Sequence, residues 1–360
     1  MIQRIGVVGA GTMGTGIAQL CAQAGFSVKV HDPAPSALKA LPRKLRAGLD
    51  AAVLKGRLTT QQSDRAFHSV SAAASLDELA GADLVIEAGP EDLELKRRIF
   101  AALDACCPEA VLATNTSSLS VAAIAAAVSS PRRVLGMHFF NPPVATKLIE
   151  LVRAPKTSEE VFAAAWDFVV TALRKTPVDV KDTPGFIVNR VMRPYYLESQ
   201  RTALAGAGIA GLDLAARERG GVPMGPFELM DLIGLDVNLS ITRSLYEAFG
   251  RPERFAPSAL QEKIVGLGHT GRKAGRGFYL YKDGRPAGEN PEALALLPPG
   301  GRLSPEAGWQ RVLDAVIAEA RLAAEEGVAG ANDIDTAVKL AMNLPRGPFQ
   351  WRVESRSTAN

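Results

Sequence analysis

A chain of 360 residues, 47% hydrophobic and 22% charged, has the apolar content for a sizeable core and the length for two or three domains. Its formal charge of +3 comes without any long Lys/Arg block, which removes the electrostatic grounds for a nucleic-acid or membrane-surface partner. Cys21, Cys106 and Cys107 are too few and too unevenly spaced for a disulfide framework, and no His/Cys group has metal-ligand spacing. Neither a basic leader nor an apolar run long enough to span a bilayer is present, and a reducing cytosol fits best.

Residues 1–32 read as strand, Gly-rich turn, helix and strand. Gly9-Ala10-Gly11-Thr12-Met13-Gly14 follows the apolar run ending at Val8 and precedes the helical pattern Ile17, Leu20, Cys21; a second strand then ends at Asp32. This is the dinucleotide fingerprint in its required setting. Gly9 permits the tight turn, Gly11 lets backbone approach a pyrophosphate, and Gly14 lets the helix pack closely on the sheet, with free amides at the helix start facing the phosphate. A carboxylate at Asp32 accepts both ribose hydroxyls of NAD and repels the extra phosphate of NADP.

Residues 82–88 and 110–115 read as two more buried parallel strands, separated by a helical stretch over 93–103, so the doubly wound pattern continues. The loops Gly89-Pro90-Glu91 and Asn115-Thr116-Ser117-Ser118 then fall at the carboxyl ends of strands, within reach of a cofactor. Ser117 and Ser118 serve equally well as caps for a helix over 121–128, and both roles stay open. Next, Val134-Leu135-Gly136-Met137 leads into His138-Phe139-Phe140-Asn141-Pro142, and Leu148-Ile149-Glu150-Leu151-Val152 carries a carboxylate in its middle. Two short strands joined by a Pro-rich turn would bring His138 and Glu150 together as a base and the group that fixes its tautomer.

Past Pro184 the alternation stops and helical patterns take over from Ile187 through Leu204 to Leu214, a separate helical domain whose linker is Asp182-Thr183-Pro184-Gly185. Leu212-Asp213-Leu214-Ala215 with Pro223-Met224-Gly225-Pro226-Phe227 recurs, at the same spacing, as Ile334-Asp335-Thr336-Ala337 with Pro345-Arg346-Gly347-Pro348-Phe349. Arg321-Leu322-Ala323 likewise echoes Arg201-Thr202-Ala203, so residues from about 305 to 351 read as a partial second copy of the helical domain. The expected organisation is an α/β doubly wound domain over 1–183, an all-α domain over 184–285, a Pro/Gly-rich linker over 286–304 and the partial copy over 305–360.

Taken in order, the Gly9-to-Gly14 loop, Asn115-Thr116-Ser117-Ser118-Leu119, His138-to-Pro142 with Glu150, Asp182-to-Arg190, Gly225-Pro226-Phe227-Glu228 and Gly271-Arg272-Lys273 resemble the NAD-dependent 3-hydroxyacyl-CoA dehydrogenases over roughly residues 1–285. The stretch 224–238 looks most like members from phenylacetate and other aromatic-acid catabolism. The resemblance implies a Rossmann-type domain, NAD as cofactor, (S)-3-hydroxyacyl-CoA as substrate and a homodimer formed through the helical domain. It makes His138 the general base and Glu150 its orienting partner, with Ser117 and Asn189 bonding the substrate oxygen. Beside the cofactor it places Gly9, Gly11, Thr12, Met13, Gly14, Asp32, Glu91, Lys96, Ser117, Asn141 and Lys273, and near the CoA phosphates Lys55. Two other readings compete: a dehydrogenase of non-CoA hydroxyacids, whose families rely on a catalytic Lys and lack the His138 segment, and a crystallin-like dinucleotide-binding protein without turnover. Acyl-chain length and a second carboxylate on the substrate are not encoded in any of these motifs. The second copy is expected to pack on the first helical domain and to replace or modify the dimer contact, so that deletion of residues 290–360 changes the oligomeric mass.

Overall fold

The computed structural model describes residues 2–355 and divides into two compact units, one ending at Phe186 and one beginning at Ile187. The first unit alternates strands and helices: β1 Arg4–Val8, α1 Thr12–Gln23, β2 Ser27–His31, α2 Pro35–Leu54, α3 Thr60–His68, β3 Val70–Ala73, β4 Leu84–Glu87, α4 Leu93–Cys106, β5 Val111–Thr114, α5 Val121–Ala125, β6 Val134–Phe139, β7 Leu148–Arg153, α6 Glu159–Asp167 and β8 Thr176–Lys181. The eight strands form one sheet in the order β3-β2-β1-β4-β5-β6-β7-β8. Every pairing is parallel except β6 with β7, so the last two strands run against the rest. Central strands buried on both faces read as continuous apolar runs, which is why β1, β4, β5 and β6 stand out in the sequence. From α2, Leu41, Leu45 and Leu49 at successive i+4 positions turn one stripe into the core cluster that also holds Val28 and Val30.

The second unit is built from α7 Val188–Val191, α8 Arg193–Thr202, α9 Ile209–Gly220, α10 Pro226–Ile233, α11 Leu235–Ala248 and α12 Ala259–Gly266, the antiparallel hairpin of β9 Tyr279–Lys282 and β10 Arg285–Glu289, then α13 Pro291–Leu294, α14 Pro305–Glu325, α15 Ala331–Met342 and α16 Pro348–Ser355. The long helical pattern expected through Leu214 is interrupted at Gly206 (φ 122°) and Gly208 (φ 71°), conformations open to glycine and closed to most side chains.

Two stretches at the expected boundaries are tied to the rest of their units. The compact units part after Phe186, three residues past the expected end at 183, and Asp182 is held in the first unit: its carboxylate accepts from the amides of Val121 (3.0 Å) and Ala122 (2.7 Å) at the start of α5 and from the Ser120 hydroxyl. The stretch 286–304, read as a linker from its Pro and Gly content, is pinned. Asn290 donates to the Gly277 carbonyl (2.7 Å) and caps α13 through the Glu292 amide, and the Leu303 amide bonds the Ala205 carbonyl.

The partial repeat belongs to the same compact unit as the first copy. Both copies use one device: Asp213 accepts from the amides of Phe227 (2.9 Å) and Glu228 (3.1 Å) to start α10, and Asp335 accepts from the Phe349 amide (2.9 Å) to start α16. Helix α14 packs along α8 and α9 with Trp309, Val312, Val316 and Ala320 buried. A Cβ on Gly220 of α9 would lie 2.4 Å from Cζ2 of Trp309, so this helix crossing admits no side chain. Gly220→Ala is therefore expected to lower unfolding stability by about 1–3 kcal/mol through overpacking. Urea unfolding measures it, and a change under about 0.5 kcal/mol would mean that Trp309 does not sit against α9.

Candidate active site

The antiparallel register of β6 and β7 sets His138 directly opposite Glu150, and directly opposite residues share a face of the sheet. Glu150 is fully buried and His138 nearly so; Nδ1 lies 2.6 Å from a Glu150 oxygen. A carboxylate there accepts the Nδ1 proton, which leaves Nε2 as the basic nitrogen. The ring is walled by Phe140, at 4.5 Å between centroids, and by Phe186 at 5.8 Å. Asn115, at the end of β5, accepts from the Phe139 amide (2.9 Å) and pins the strand one residue past the histidine. The sequence reading placed Asn115 in a loop within reach of a cofactor and did not assign it this support, because nothing local says that an Asn after a strand reaches the next strand's backbone.

Ser117 lies in the loop after β5, and Glu91 gathers that loop. The carboxylate of Glu91 accepts from the Thr116 hydroxyl (2.6 Å), the Ser117 amide (2.8 Å) and the Ser118 amide (3.1 Å), and lies 3.3 Å from the Ser117 hydroxyl. Burial acts to raise its pKa, but the Thr116 hydroxyl, the Lys96 ammonium and the Ser117 and Ser118 donors outweigh it and hold the carboxyl below the usual range. Lys96, expected beside the cofactor, is buried beneath the loop. Its ammonium contacts both oxygens of Glu87 (2.7 and 2.9 Å), the Gly89 carbonyl (3.4 Å) and Glu91 (3.6 Å). Glu87, also fully buried, accepts from the Thr114 hydroxyl (2.7 Å) and the Gly89 amide (2.6 Å). The structure thus gives Lys96 a role in fixing the Ser117 loop, through a partner the sequence reading did not single out. A carboxylate ending an apolar strand nine residues before a helical Lys was the available signal.

At the dinucleotide loop, Gly9 has φ 110°, and its amide donates to the His31 carbonyl (2.7 Å). A Cβ on Gly14 would sit 1.8 Å from the Gly9 carbonyl oxygen, so α1 presses on the turn itself. Around Gly11, by contrast, nothing lies within 4 Å of where a Cβ would stand. Gly11 is also the N-cap of α1, which has no side-chain cap and no acidic residue in its first turn. Open space in front of uncapped amides, with Thr12 exposed and Met13 half-buried, fits a bound pyrophosphate. Asp32 accepts from the Ala10 amide (2.8 Å) and the Ala34 amide (2.9 Å), stays half-exposed and keeps further acceptor capacity for ribose hydroxyls. Lys44 of α2 donates to the Ala10 carbonyl (3.1 Å), a support the sequence reading did not name.

Of the remaining expected residues, Asn141 is exposed just past β6, before a cis peptide to Pro142, and Lys55 is the exposed C-cap of α2. Asn189, on α7, and Lys273 belong to the second unit. Among the described residues there is no group of three or more His, Cys, Asp or Glu side chains placed to hold a metal, and no helix is long and apolar enough to cross a membrane.

Comparison with known proteins agrees with this geometry. Residues 4–183 match the NAD binding domain of 3-hydroxyacyl-CoA dehydrogenase, and residues 185–281 and again 309–354 match its C-terminal domain. The 3-hydroxyadipyl-CoA dehydrogenase of Escherichia coli K12 is 35% identical over 429 aligned residues, covering 97% of this chain and 90% of that protein. A Mycobacterium tuberculosis 3-hydroxybutyryl-CoA dehydrogenase is 42% identical over 78% of this chain and 99% of its own. A crystal structure of 3-hydroxybutyryl-CoA dehydrogenase from E. coli K12 superposes with a TM-score of 0.88 at 34% identity, covering 98% of this chain and 92% of that one. That of (S)-3-hydroxybutyryl-CoA dehydrogenase from Ralstonia eutropha gives 0.74 at 36% identity, covering 79% and 100%. With its carboxylate-backed histidine, its dinucleotide loop and these matches along nearly its whole length, the chain belongs to the NAD-dependent 3-hydroxyacyl-CoA dehydrogenase family.

Proposed function

We propose that the chain interconverts (S)-3-hydroxyacyl-CoA and 3-oxoacyl-CoA with His138 as general base and acid, and that its substrate comes from aromatic-acid or fatty-acid catabolism. The hydrogen bond between His138 and Glu150 carries this reading. Oxidising a secondary alcohol requires the hydroxyl proton to leave as hydride leaves carbon, and Nε2 of a neutral imidazole takes that proton near neutral pH. Bound NAD supplies the hydride acceptor. Glu150 holds the ring in the tautomer that exposes Nε2 and stabilises the imidazolium that forms. In the opposite direction the imidazolium returns the proton to the developing alkoxide.

The Ser117 hydroxyl and the Asn189 amide are assigned to the substrate oxygen, where donors placed in advance stabilise developing negative charge. Glu91, held by Lys96, orients Ser117. Asp32 is assigned to the ribose hydroxyls and disfavours the 2′-phosphate of NADP by like charge, while Asn141 and Lys273 are assigned to the cofactor and Lys55 to CoA phosphate. A cytosolic location accords with three free thiols. The homodimer implied by the family is kept as the expected assembly of the full chain, tested by light scattering.

An acyl chain with a second carboxylate is favoured by likeness to the 3-hydroxyadipyl-CoA enzyme of E. coli, which this chain matches through the second copy. Oxidation of NADH by the purified chain, with acetoacetyl-CoA and with 3-oxoadipyl-CoA, separates the substrates. A higher kcat/KM for 3-oxoadipyl-CoA is expected. Tight NADH binding without turnover of either would favour a binding protein on an enzyme scaffold. With NADPH the rate should be lower by at least about tenfold, one like-charge contact of ~1.4 kcal/mol. His138→Gln should lose about 10²–10⁴-fold in kcat with NADH affinity unchanged, and activity retained in that variant would remove His138 from the chemistry.

A further inference from the structure

The offset of 120 residues between Arg201 and Arg321 makes α14 the second copy of the stretch that carries α7 and α8. Because α14 packs along α8, the two copies meet as equivalent helices, the arrangement by which two identical domains would meet about a two-fold axis. A true two-fold pairing repeats every contact. Here the repeated contact is an arginine–glutamate pair, enclosed on one side and half-exposed on the other.

Arg190 on α7 is fully buried. Its Nε donates to Glu319 Oε1 (2.8 Å), on the buried side of α14, and its Nη1 to Glu326 (2.7 Å), which is half-exposed. The other oxygen of Glu319 accepts from Nε of Arg254 (2.8 Å). One residue beyond that offset, at 121, the counterpart of Arg190 is Arg311 and the counterpart of Glu319 is Glu198. Arg311 Nη2 donates to Glu198 Oε1 (2.7 Å), so the reciprocal pair is formed as well. Both copies keep an arginine and a carboxylate, but only the pair of Arg190 with Glu319 is fully enclosed, the reciprocal arginine being half-exposed. The second copy therefore supplies one particular countercharge.

That countercharge acts beside a residue of the proposed mechanism, because Arg190 follows Asn189 on the single turn of α7. Without Glu319 the buried guanidinium keeps only the half-exposed Glu326, and the turn would shift toward that side and toward water. A family member from M. tuberculosis aligned over 99% of its own length covers only 78% of this chain, so the second copy is not part of every member. We propose that the partial second copy is part of the catalytic apparatus, with Glu319 as a positioning residue that neutralises Arg190 and so fixes the α7 turn and Asn189. This inference rests on the assignment of Asn189 to the substrate oxygen made above.

The full-length chain carrying Glu319→Gln tests it, because Gln keeps size and polarity and removes the charge. A displacement of ~1 Å in an oriented donor costs on the order of 10²-fold, so kcat with the preferred 3-oxoacyl-CoA should fall at least about tenfold. NADH affinity should stay within about twofold, since the dinucleotide loop is in the other unit, and Glu319→Asp should recover part of kcat. Should the Gln variant fail to fold, Glu326→Gln removes charge from the same guanidinium at the half-exposed side and should lower kcat in the same direction by a smaller factor. A folded Glu319→Gln protein with wild-type kcat overturns the proposal. So does a loss that disappears when the assay temperature is lowered in step with Tm, which would make the pair structural only. Absence of turnover by the wild-type chain on any 3-oxoacyl-CoA overturns the functional reading and this inference together, whereas wild-type turnover with an unaffected variant overturns this inference alone.

Discussion

The hydrogen bond between a fully buried Glu150 and His138 depends on one feature of the topology, the reversal of direction between β6 and β7. In the parallel part of the sheet, successive strands are joined by helices, and two residues twelve apart in sequence have no route to facing positions. The antiparallel pair has one, and its register is held at both ends. Phe139 is pinned through the Asn115 side chain, and β7 is paired on its far side with β8 from Leu148 to Arg153. A one-residue slip would turn His138 to the opposite face from Glu150 and break the pair inside the sheet. The pair and the register enforce each other, so His138 is positioned by the sheet rather than by a loop.

Much of this was legible because it is local or periodic. The strands buried on both faces, the Gly-rich turn and the two short strands bearing His138 and Glu150 show as apolar runs and as a motif in its proper setting. β3 and β8 were less visible: β3 has two exposed positions among its four residues, and β8 carries Pro177 on the edge strand of the sheet, where proline is tolerated. The supports of the site were not legible either. Glu87, Asn115 and Lys44 act across the chain on backbone or side chains of other loops, and no spacing rule reports such contacts. Lys96 illustrates the difference. Its place on α4 was read correctly, but only the three-dimensional pairing with Glu87 reveals that its charge is turned inward.

The duplicated helical segment teaches a related lesson about composition. Its spacing was plain in the sequence, down to the Asp213 and Asp335 that start α10 and α16 through the same backbone amides. The stretch before it looked like a spacer because Pro and Gly are abundant there. In the structure those residues serve particular geometries: Pro291 opens α13, and Gly288 with φ 112° lies within the hairpin strand. Composition reported the turns, and the structure adds the contacts that tie them down. The second copy is consequently seated in the same core as the first, with Trp309 buried against α9.

Two buried ion pairs in this chain share a logic that stability alone does not explain. Replacing a buried pair by well-packed apolar residues is often neutral or stabilising, so neither Lys96 with Glu87 nor Arg190 with Glu319 is needed merely to hold the fold. What a charged pair adds is direction, since a guanidinium or an ammonium between carboxylates tolerates little displacement before an uncompensated charge results. Each pair sits under a short segment bearing one polar hand: Glu87 and Lys96 under the loop of Ser117, Glu319 and Arg190 under the turn of Asn189. Each is remote from His138 in sequence and supplied by a different part of the chain, the first by α4 and the second by the repeated helix. The two pairs thus lie next to Ser117 and Asn189, the groups assigned to the substrate oxygen in the proposed function, and the repeated helix supplies one of the carboxylates.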